Sequence, residues 1–224
     1  MMRHRLNIAL SLLALALTVT LSYRFATINI HDNNMRQTNN IAITYLIDAS
    51  SNGKFFLSVS GVTELPQGTA SYVIGHPDHT SYHLLLLMRQ LDLPTYRSVG
   101  ADIRARILCS TLQKCKLMND WGVLDPESCY DGIAAMAILE LGVNALPYLK
   151  PILDDERRAL LFGSEEAGFA FDCGYERADF AFRYISLITR RPYVFNEDVT
   201  IRRHLIDGMK LELAENEGVQ DLRK

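Results

Sequence analysis

Residues 131–155 read DGIAAMAILELGVNALPYLKPILDD. Apolar residues recur at helical spacing from Ile133 to Leu141, and the glycine that follows, Gly142, is typical of the end of a helix. A second helix is expected over residues 144–154, with one proline in its first turn and Pro151 as the source of a kink. This stretch therefore predicts two short helices joined by a tight turn.

The same periodicity recurs on both sides of this stretch. Further helices are expected at residues 80–93, 98–115, 177–189 and 198–215. The first helices of successive pairs are spaced by about 50 and then 46 residues, the period of two-helix repeats. Because one pair cannot bury its apolar face alone, the pairs are expected to stack. The sequence thus predicts a mainly α fold.

Residues 141–155 resemble the inter-helix turn and second helix of a HEAT-type (armadillo/HEAT) repeat. Such repeats often carry a glycine at the turn, then Ala-Leu-Pro, leucines and an acidic stop, as Gly142 and Ala145–Pro147 begin here. The resemblance covers residues 131–155 only, and the segment Glu156–Glu176 is longer than a repeat linker. It implies an irregular stack of antiparallel helix pairs, a fold that usually serves as a binding surface.

Residues 41–60 fit two structures. Apolar residues alternate over residues 41–47 and again over 55–59, on either side of Asn52-Gly53, which predicts a short β-hairpin. The first of these runs also has the spacing of a helix. The hairpin is the structure we expect from the alternation, with the helix as its alternative.

The amino-terminal segment carries the strongest single signal. Arg3 and Arg5 precede residues 6–23, LNIALSLLALALTVTLSY, which carry no charge. As a helix this segment spans roughly 27 Å, close to the hydrocarbon thickness of a bilayer. It predicts a single-pass membrane anchor with residues 24–224 outside the cytoplasm, since the two arginines should stay cytoplasmic. A cleaved signal, leaving a secreted or periplasmic protein, is the alternative. The expected domains are the anchor or signal segment 1–23, a polar linker 24–40 and an extracytoplasmic, mostly helical domain 41–224.

The charge balance bears on nucleic-acid binding, and the cysteine content bears on possible disulfides. The 224-residue chain has 23 Lys and Arg against 26 Asp and Glu, so no basic excess favours nucleic-acid binding. Its four cysteines fit an oxidising compartment. Cys109 and Cys115 lie about 9 Å apart in one expected helix, beyond the ~7 Å reach of a disulfide. Any bridge should therefore involve Cys129 or Cys173, and the alternative is four buried thiols.

The segment His76-Pro-Asp-His-Thr-Ser-Tyr-His83 holds three of the six histidines. His79 and His83 are four residues apart, which places both on one face of a helix, and imidazole pairs at this spacing bind zinc in other settings. A metal-dependent hydrolase using His76, His79 and His83, with Asp78 as a ligand or base, is therefore the alternative function. The competing interpretation is an ordinary loop that enters a helix.

Two acidic segments are candidate sites for a partner or ligand. The first, residues 119–132, holds the only tryptophan, and the second lies within residues 161–172. Turn chemistry around a buried tryptophan and an exposed acidic loop are the respective alternatives. Because long loops are often functional, Glu156–Glu176 is where we expect a partner contact. The candidate residues are Asp120, Trp121, Asp125, Glu165 and Glu166.

Several familiar catalytic signatures do not occur in the sequence. It contains no P-loop, no dinucleotide-binding glycine motif and no nucleophile elbow. An enzyme is therefore not the favoured interpretation. We expect a membrane-tethered helical binding or scaffold domain that contacts another protein of the cell envelope.

Overall fold

A computed structural model of the protein describes residues 35–52, 64–125, 131–163 and 165–221. Over these residues the chain is mainly helical, as its periodicity predicts. The helices are α1 (Met35–Ser51), α2 (Thr69–Gly75), α3 (Tyr82–Leu91), α4 (Leu93–Ser98), α5 (Ala101–Lys114), α6 (Ile133–Leu141), α7 (Leu146–Leu149), α8 (Glu165–Asp172), α9 (Arg177–Ile188) and α10 (Val199–Asp221). Short 310 turns lie at His79–Ser81, Asn119–Trp121, Gly142–Ala145 and Lys150–Asp154.

The first helix corrects the hairpin predicted at residues 41–60. α1 continues through residue 51, so the expected first strand is helical. Leu46, Ala49 and Ser50 are buried on one face of this helix, and α1 packs on α3. Packing of that face outweighs the β-favouring residues in the segment. The expected second strand, residues 53–60, lies outside the described residues.

The opening stretch forms the predicted pair of helices, but its second helix is broken. Gly142 has a φ of +55° and ends α6, as expected of a glycine at this position. Beyond it, α7 keeps only one turn of α-helix between two 310 turns. Pro147 and Pro151 each lack the backbone N–H that a continuous helix would use.

α6 lies in the core and packs against α5 and α9. Its residues Ala134, Ala135, Ala137 and Ile138 are fully buried. Ile133–Asp154 is the one run among the described residues that is long and apolar enough to cross a membrane. Of its 18-residue apolar window, 39% is buried inside the domain, and core helices of proteins that do not span a membrane can have the same composition.

The described residues confirm most of the expected helices but do not test the repeat stacking or the membrane anchor. α3, α5, α6 and α9 confirm the expected helices within a few residues at either end, and α10 confirms the last one but continues to Asp221, beyond its expected end at residue 215. Their stacking as a HEAT-type repeat stays a prediction. The expected anchor at residues 6–23 lies outside the described residues.

Candidate partner-binding surface

An extended segment, residues 157–162, lies between two other stretches of backbone. On one side the N–H of Met118 donates a hydrogen bond of 2.7 Å to the carbonyl of Leu160. On the other side the N–H of Ala159 donates one of 2.8 Å to the carbonyl of Tyr175. These bonds fix the middle of the segment from both edges.

The side chain of Asn119 fixes the end of the same segment. Its amide nitrogen donates to the carbonyl of Phe162 at 2.8 Å, and its Oδ1 accepts from the N–H of Phe162 at 3.1 Å. An amide side chain has both a donor and an acceptor, so it can satisfy both backbone groups of one residue. The backbone at Phe162 is therefore held in place.

From Arg158 to Phe162, more exposed and more buried side chains alternate. Ala159 is buried, whereas Arg158, Leu160 and Phe162 are exposed, Leu160 by 43% and Phe162 by 67%. Alternation follows from the two-residue period of extended backbone. One face of the segment thus presents a cation and two large apolar groups to solvent.

A second phenylalanine, Phe171 at the end of α8, joins this face. Its side chain is 63% exposed. The guanidinium of Arg158 lies over the Phe171 ring, 5.2 Å from its centroid, and Arg158 Nη2 donates to the Phe171 carbonyl at 2.7 Å. We call Arg158, Leu160, Phe162 and Phe171 the Phe surface.

The close fit of Arg158 depends on a glycine. Gly174 has a φ of +64°, and a Cβ built there would lie 2.7 Å from Arg158 Nη1. A side chain at this position would displace the guanidinium from Phe171, and the backbone conformation itself favours glycine. Gly174 therefore positions the cation of the Phe surface.

The turn that carries Gly174 is held by a buried cation on α10. Arg202 Nη2 donates to the carbonyls of Cys173 and Gly174 at 2.9 and 3.0 Å. Its Nε lies 3.0 Å from Oδ1 of Asp179, and both side chains are buried. Burial raises the pKa of the Asp179 carboxyl, although Arg202 opposes this shift. The ion pair thus stabilises one border of the Phe surface.

Charged residues of both signs lie a few positions along the sequence from residues of the Phe surface, or from residues that pair with it. Lys116 precedes Leu117, which pairs with Leu160, and its side chain is exposed. On α8, Glu165 is exposed and Glu166 is half-buried, both in the first turn. The segment read as an acidic loop is therefore a helix from residue 165, and its candidate carboxylates lie within ten residues of both phenylalanines.

The other predicted partner-binding residues are not on this surface. Asp120 and Trp121 are buried, and the Tyr82 hydroxyl donates to Asp120 Oδ2 at 2.7 Å. Burial, and then the charge of Asp120, raise the pKa of Tyr82. The Tyr184 hydroxyl donates to the carbonyl of Trp121 at 2.6 Å. This tryptophan holds its loop against the core, and Asp125 is half-buried.

The three histidines of the predicted metal site are engaged in different contacts. The His76 ring stacks on Tyr72 with centroids 4.1 Å apart. His83 is buried, and its Nδ1 lies 2.6 Å from Ser50 Oγ. His79 lies in the 310 turn that Asp78 caps. Within the described residues, no group of three or more His, Cys, Asp or Glu is placed to hold a metal ion.

Three of the four cysteines lie within the described residues, and burial raises the pKa of each of these thiols. Cys109, Cys115 and Cys173 are buried free thiols. Burial raises the pKa of both Cys109 and Cys115 to about 12, so neither forms a thiolate readily at neutral pH. Cys129 lies outside the described residues, and a bridge involving it stays a prediction.

The residues of the Phe surface were missed by sequence reasoning. The signal was present: Arg158, Leu160 and Phe162 occupy alternate positions just after an acidic stop, inside the segment expected to contact a partner. Comparison with known proteins adds nothing further, since no protein-family model, no curated protein and no solved structure matches this chain. The functional argument therefore rests on the chain's own residues.

Proposed function

We propose that the protein is a membrane-tethered helical domain of the cell envelope, and that it binds another envelope protein through the Phe surface. The observation that supports this most is the exposure of Leu160, Phe162 and Phe171 on backbone held by hydrogen bonds. Large exposed apolar side chains on an ordered backbone are typical of protein-binding sites.

The composition of the Phe surface suits a binding hot spot. Aromatic side chains and arginine are enriched in such sites, and each phenylalanine offers a large apolar area with few rotatable bonds. Because Asn119 and Arg158 already hold the backbone at the two phenylalanines, the backbone entropy lost on binding is reduced. A partner with an apolar pocket and charged groups at its rim would fit.

The location in the envelope rests on the amino-terminal sequence. Residues 6–23 are long and apolar enough for an anchor, and Arg3 and Arg5 favour a cytoplasmic amino terminus. A secreted or periplasmic protein after cleavage remains the alternative. The binding proposal is the same in both cases, because the domain would lie outside the cytoplasm.

The surroundings of the three histidines do not favour a zinc hydrolase as a second function. Zinc requires each imidazole nitrogen at about 2 Å. His76 is exposed and stacked on Tyr72, whereas His83 is buried against Ser50. No observation in the described residues favours catalysis at this segment.

Photo-crosslinking in intact membranes tests the proposed function. The full chain carries benzoylphenylalanine in place of Phe162, and the matched control carries it in place of Val143, which is 68% exposed and lies on another segment. We expect one prominent adduct with a second envelope protein from position 162. Adding Phe171→Ser to the same chain should reduce this adduct, since both rings belong to one surface.

Two results would contradict the proposal. One is an adduct pattern that is the same at positions 162 and 143, which would indicate random collision. The other is the absence of any adduct from position 162 in membranes where the chain is folded and abundant. The identity of the adduct names the partner.

A further inference from the structure

The last helix, α10, is held to the domain by few buried apolar side chains. It packs on α9 and on the 310 turn Lys150–Asp154. Over residues 199–215, whose side chains the structure describes, Ile206 and Met209 are the buried apolar residues, and Leu213 is partly buried. An element with few buried apolar contacts opens more readily than the core. α10 should therefore detach before the helices around α6 unfold.

Ion pairs along its sides supply much of the remaining attachment of α10. Except for Glu176, the side chains in these pairs are partly or largely exposed, so each pair adds little stability. The ion pairs that join α10 to the rest of the domain at its surface are Lys210–Asp154, Arg203–Glu156, Arg203–Glu176 and Glu212–Arg191. The docking of α10 is therefore sensitive to a change of charge on either side.

Arg202 connects α10 to the turn that borders the Phe surface. Its Nη2 donates to the carbonyls of Cys173 and Gly174. Gly174 is the residue that makes room for the guanidinium of Arg158. Arg158 in turn lies over the Phe171 ring and donates to the Phe171 carbonyl. A continuous series of contacts therefore leads from α10 to the Phe surface.

The next residue of α10 holds the other end of the same turn. Arg203 pairs with Glu176, and the backbone of Glu176 forms an antiparallel bridge with that of Arg158. Residues 173–176 are thus held by α10 on one side and contact Arg158 on the other. Coupling between two parts of a protein requires an element with two arrangements, and the weakly attached α10 is such an element.

We propose that α10 is a clamp that controls the Phe surface, which is formed when α10 is docked and loses the contact of Arg158 with Phe171 when α10 detaches. Detachment removes the Arg202 hydrogen bonds, so the turn at Gly174 no longer fixes the Arg158 guanidinium. A partner that binds the formed surface would favour the docked state of α10, because a ligand shifts an equilibrium towards the state that it binds. The clamp rests on the proposed function for the role of the site that it controls.

Thiol labelling of the full chain in detergent measures the opening of α10, with each labelled cysteine located by peptide mass spectrometry. Lys210→Glu should loosen the helix, because it places a carboxylate beside Asp154 and Asp207. Cys173 lies in the clamped turn, whereas Cys109 lies in α5 and reports unfolding of the core. We expect the labelling rate of Cys173 to rise by about threefold or more relative to that of Cys109, since an attraction is replaced by a repulsion.

The 19F signal of 4-fluorophenylalanine at position 171 measures the Phe surface without a partner. Arg158→Met in the same labelled chain gives the signal of a ring without the guanidinium over it. Lys210→Glu should shift the signal towards this reference. Lys210→Glu with Asp154→Lys restores a pair of opposite charges and should bring both measurements close to those of the unaltered chain. Arg97→Glu, at an exposed position on α4, makes the same change of net charge and should alter neither measurement.

Three results would overturn the clamp: equal acceleration of labelling at Cys173 and Cys109, no acceleration in Lys210→Glu, or an opening of α10 that leaves the 19F signal unchanged. Crosslinking from position 162 separates this outcome from that of the proposed function. A 19F shift without any adduct supports the coupling and contradicts the binding function. An adduct without the 19F shift supports the binding function and overturns the clamp.

Discussion

At the scale of single residues, Gly132 has the least room for a side chain among the glycines that the structure describes. A Cβ built on this glycine would lie 2.1 Å from the backbone oxygen of Asp120. Backbone cannot rotate away as a flexible side chain can, so one of the two segments would have to move. Gly132 therefore fixes how closely the start of α6 approaches the turn that carries Trp121.

Gly132→Ala is expected to destabilise the protein by about 1–3 kcal/mol or more, because the added methyl overlaps with backbone. The matched control is Gly168→Ala on α8, where a Cβ meets nothing within 4 Å. That change should stabilise by up to about 1 kcal/mol through helix propensity. Chemical denaturation of both variants measures the change in the free energy of unfolding. Equal changes in the two variants would contradict the close approach at Gly132.

The pair of Asp179 and Arg202 predicts an effect of pH. Arg202→Met leaves a buried carboxylate without its cation and should destabilise by about 3 kcal/mol or more at pH 7. The raised pKa of Asp179 should rise further in this variant. A carboxyl with a raised folded pKa favours the folded state below its unfolded pKa, and this contribution is lost as pH rises through the folded pKa.

The deficit of Arg202→Met should therefore shrink as pH falls from 7 towards 4, as measured by denaturation at each pH. The charge of Glu176, which pairs with Arg203, also raises the pKa of Asp179. Glu176 is present in both the unaltered chain and the variant, so it does not account for the difference between them. Arg202→Met with Asp179→Asn is the control and should show little of this pH dependence. A deficit of Arg202→Met that grows on acidification would refute the account of the pair.

The sequence identified individual residues as candidates for a site, but it did not predict which residues they contact. Trp121 was expected either to bind a partner or to hold its loop, and the structure places it in the core between Tyr82 and Tyr184. His83 has a spacing that suits a metal ligand, yet it meets Ser50 from a helix 33 residues earlier. Such contacts depend on tertiary packing, which local spacing does not encode.

At the scale of elements, the end of α9 shows backbone strain. Arg190 has a φ of +57°, in the left-handed region where glycine is favoured. The N–H of Arg190 donates to the carbonyl of Leu187, and the N–H of Arg191 donates to the carbonyl of Ser186. This pattern ends many helices and usually places glycine at the left-handed position.

Arg190→Gly is expected to stabilise the protein by about 0.5–1 kcal/mol, because relief of strain exceeds the added freedom of the unfolded chain. Arg191→Gly is the control; it removes a contact with Glu212 and should destabilise instead. The shift of the thermal midpoint measures both. A lower thermal midpoint for Arg190→Gly would contradict this prediction. It would mean that the Arg190 side chain stabilises the protein by more than the backbone strain at Arg190 destabilises it.

Elements were predictable where one pattern dominated. α5, α6 and α9 have regular apolar spacing and clear ends, and they were expected within a few residues. α1 was ambiguous, because β-branched residues alternate in the same segment that has helical spacing, and packing on α3 decided between them. α8 was missed, since its eight residues contain Gly168 and follow shortly after Gly163.

At the scale of the whole molecule, the proposed binding protein and the alternative zinc hydrolase differ in their expected metal content. Metal content of the full chain, purified without chelators, tests the alternative. We expect no stoichiometric zinc, because His76 and His83 face different surroundings. About one equivalent of zinc, lost in His79→Ala with His83→Ala, would favour the hydrolase instead.

The central claim is that the Phe surface binds a protein partner of the cell envelope. The most direct test is the amount of that partner that co-purifies with the full chain from gently solubilised membranes. The test variant is Phe162→Ser with Phe171→Ser, and the control is Val143→Ser with Val194→Ser, whose valines are 68% and 62% exposed.

Exposed substitutions of this kind usually change stability by less than about 0.5 kcal/mol, so both variants should unfold at nearly the same temperature as the unaltered chain. We predict that the phenylalanine variant loses most of its partner and that the valine variant keeps it. Equal recovery of the partner by both variants, at unchanged thermal midpoints, would contradict the claim.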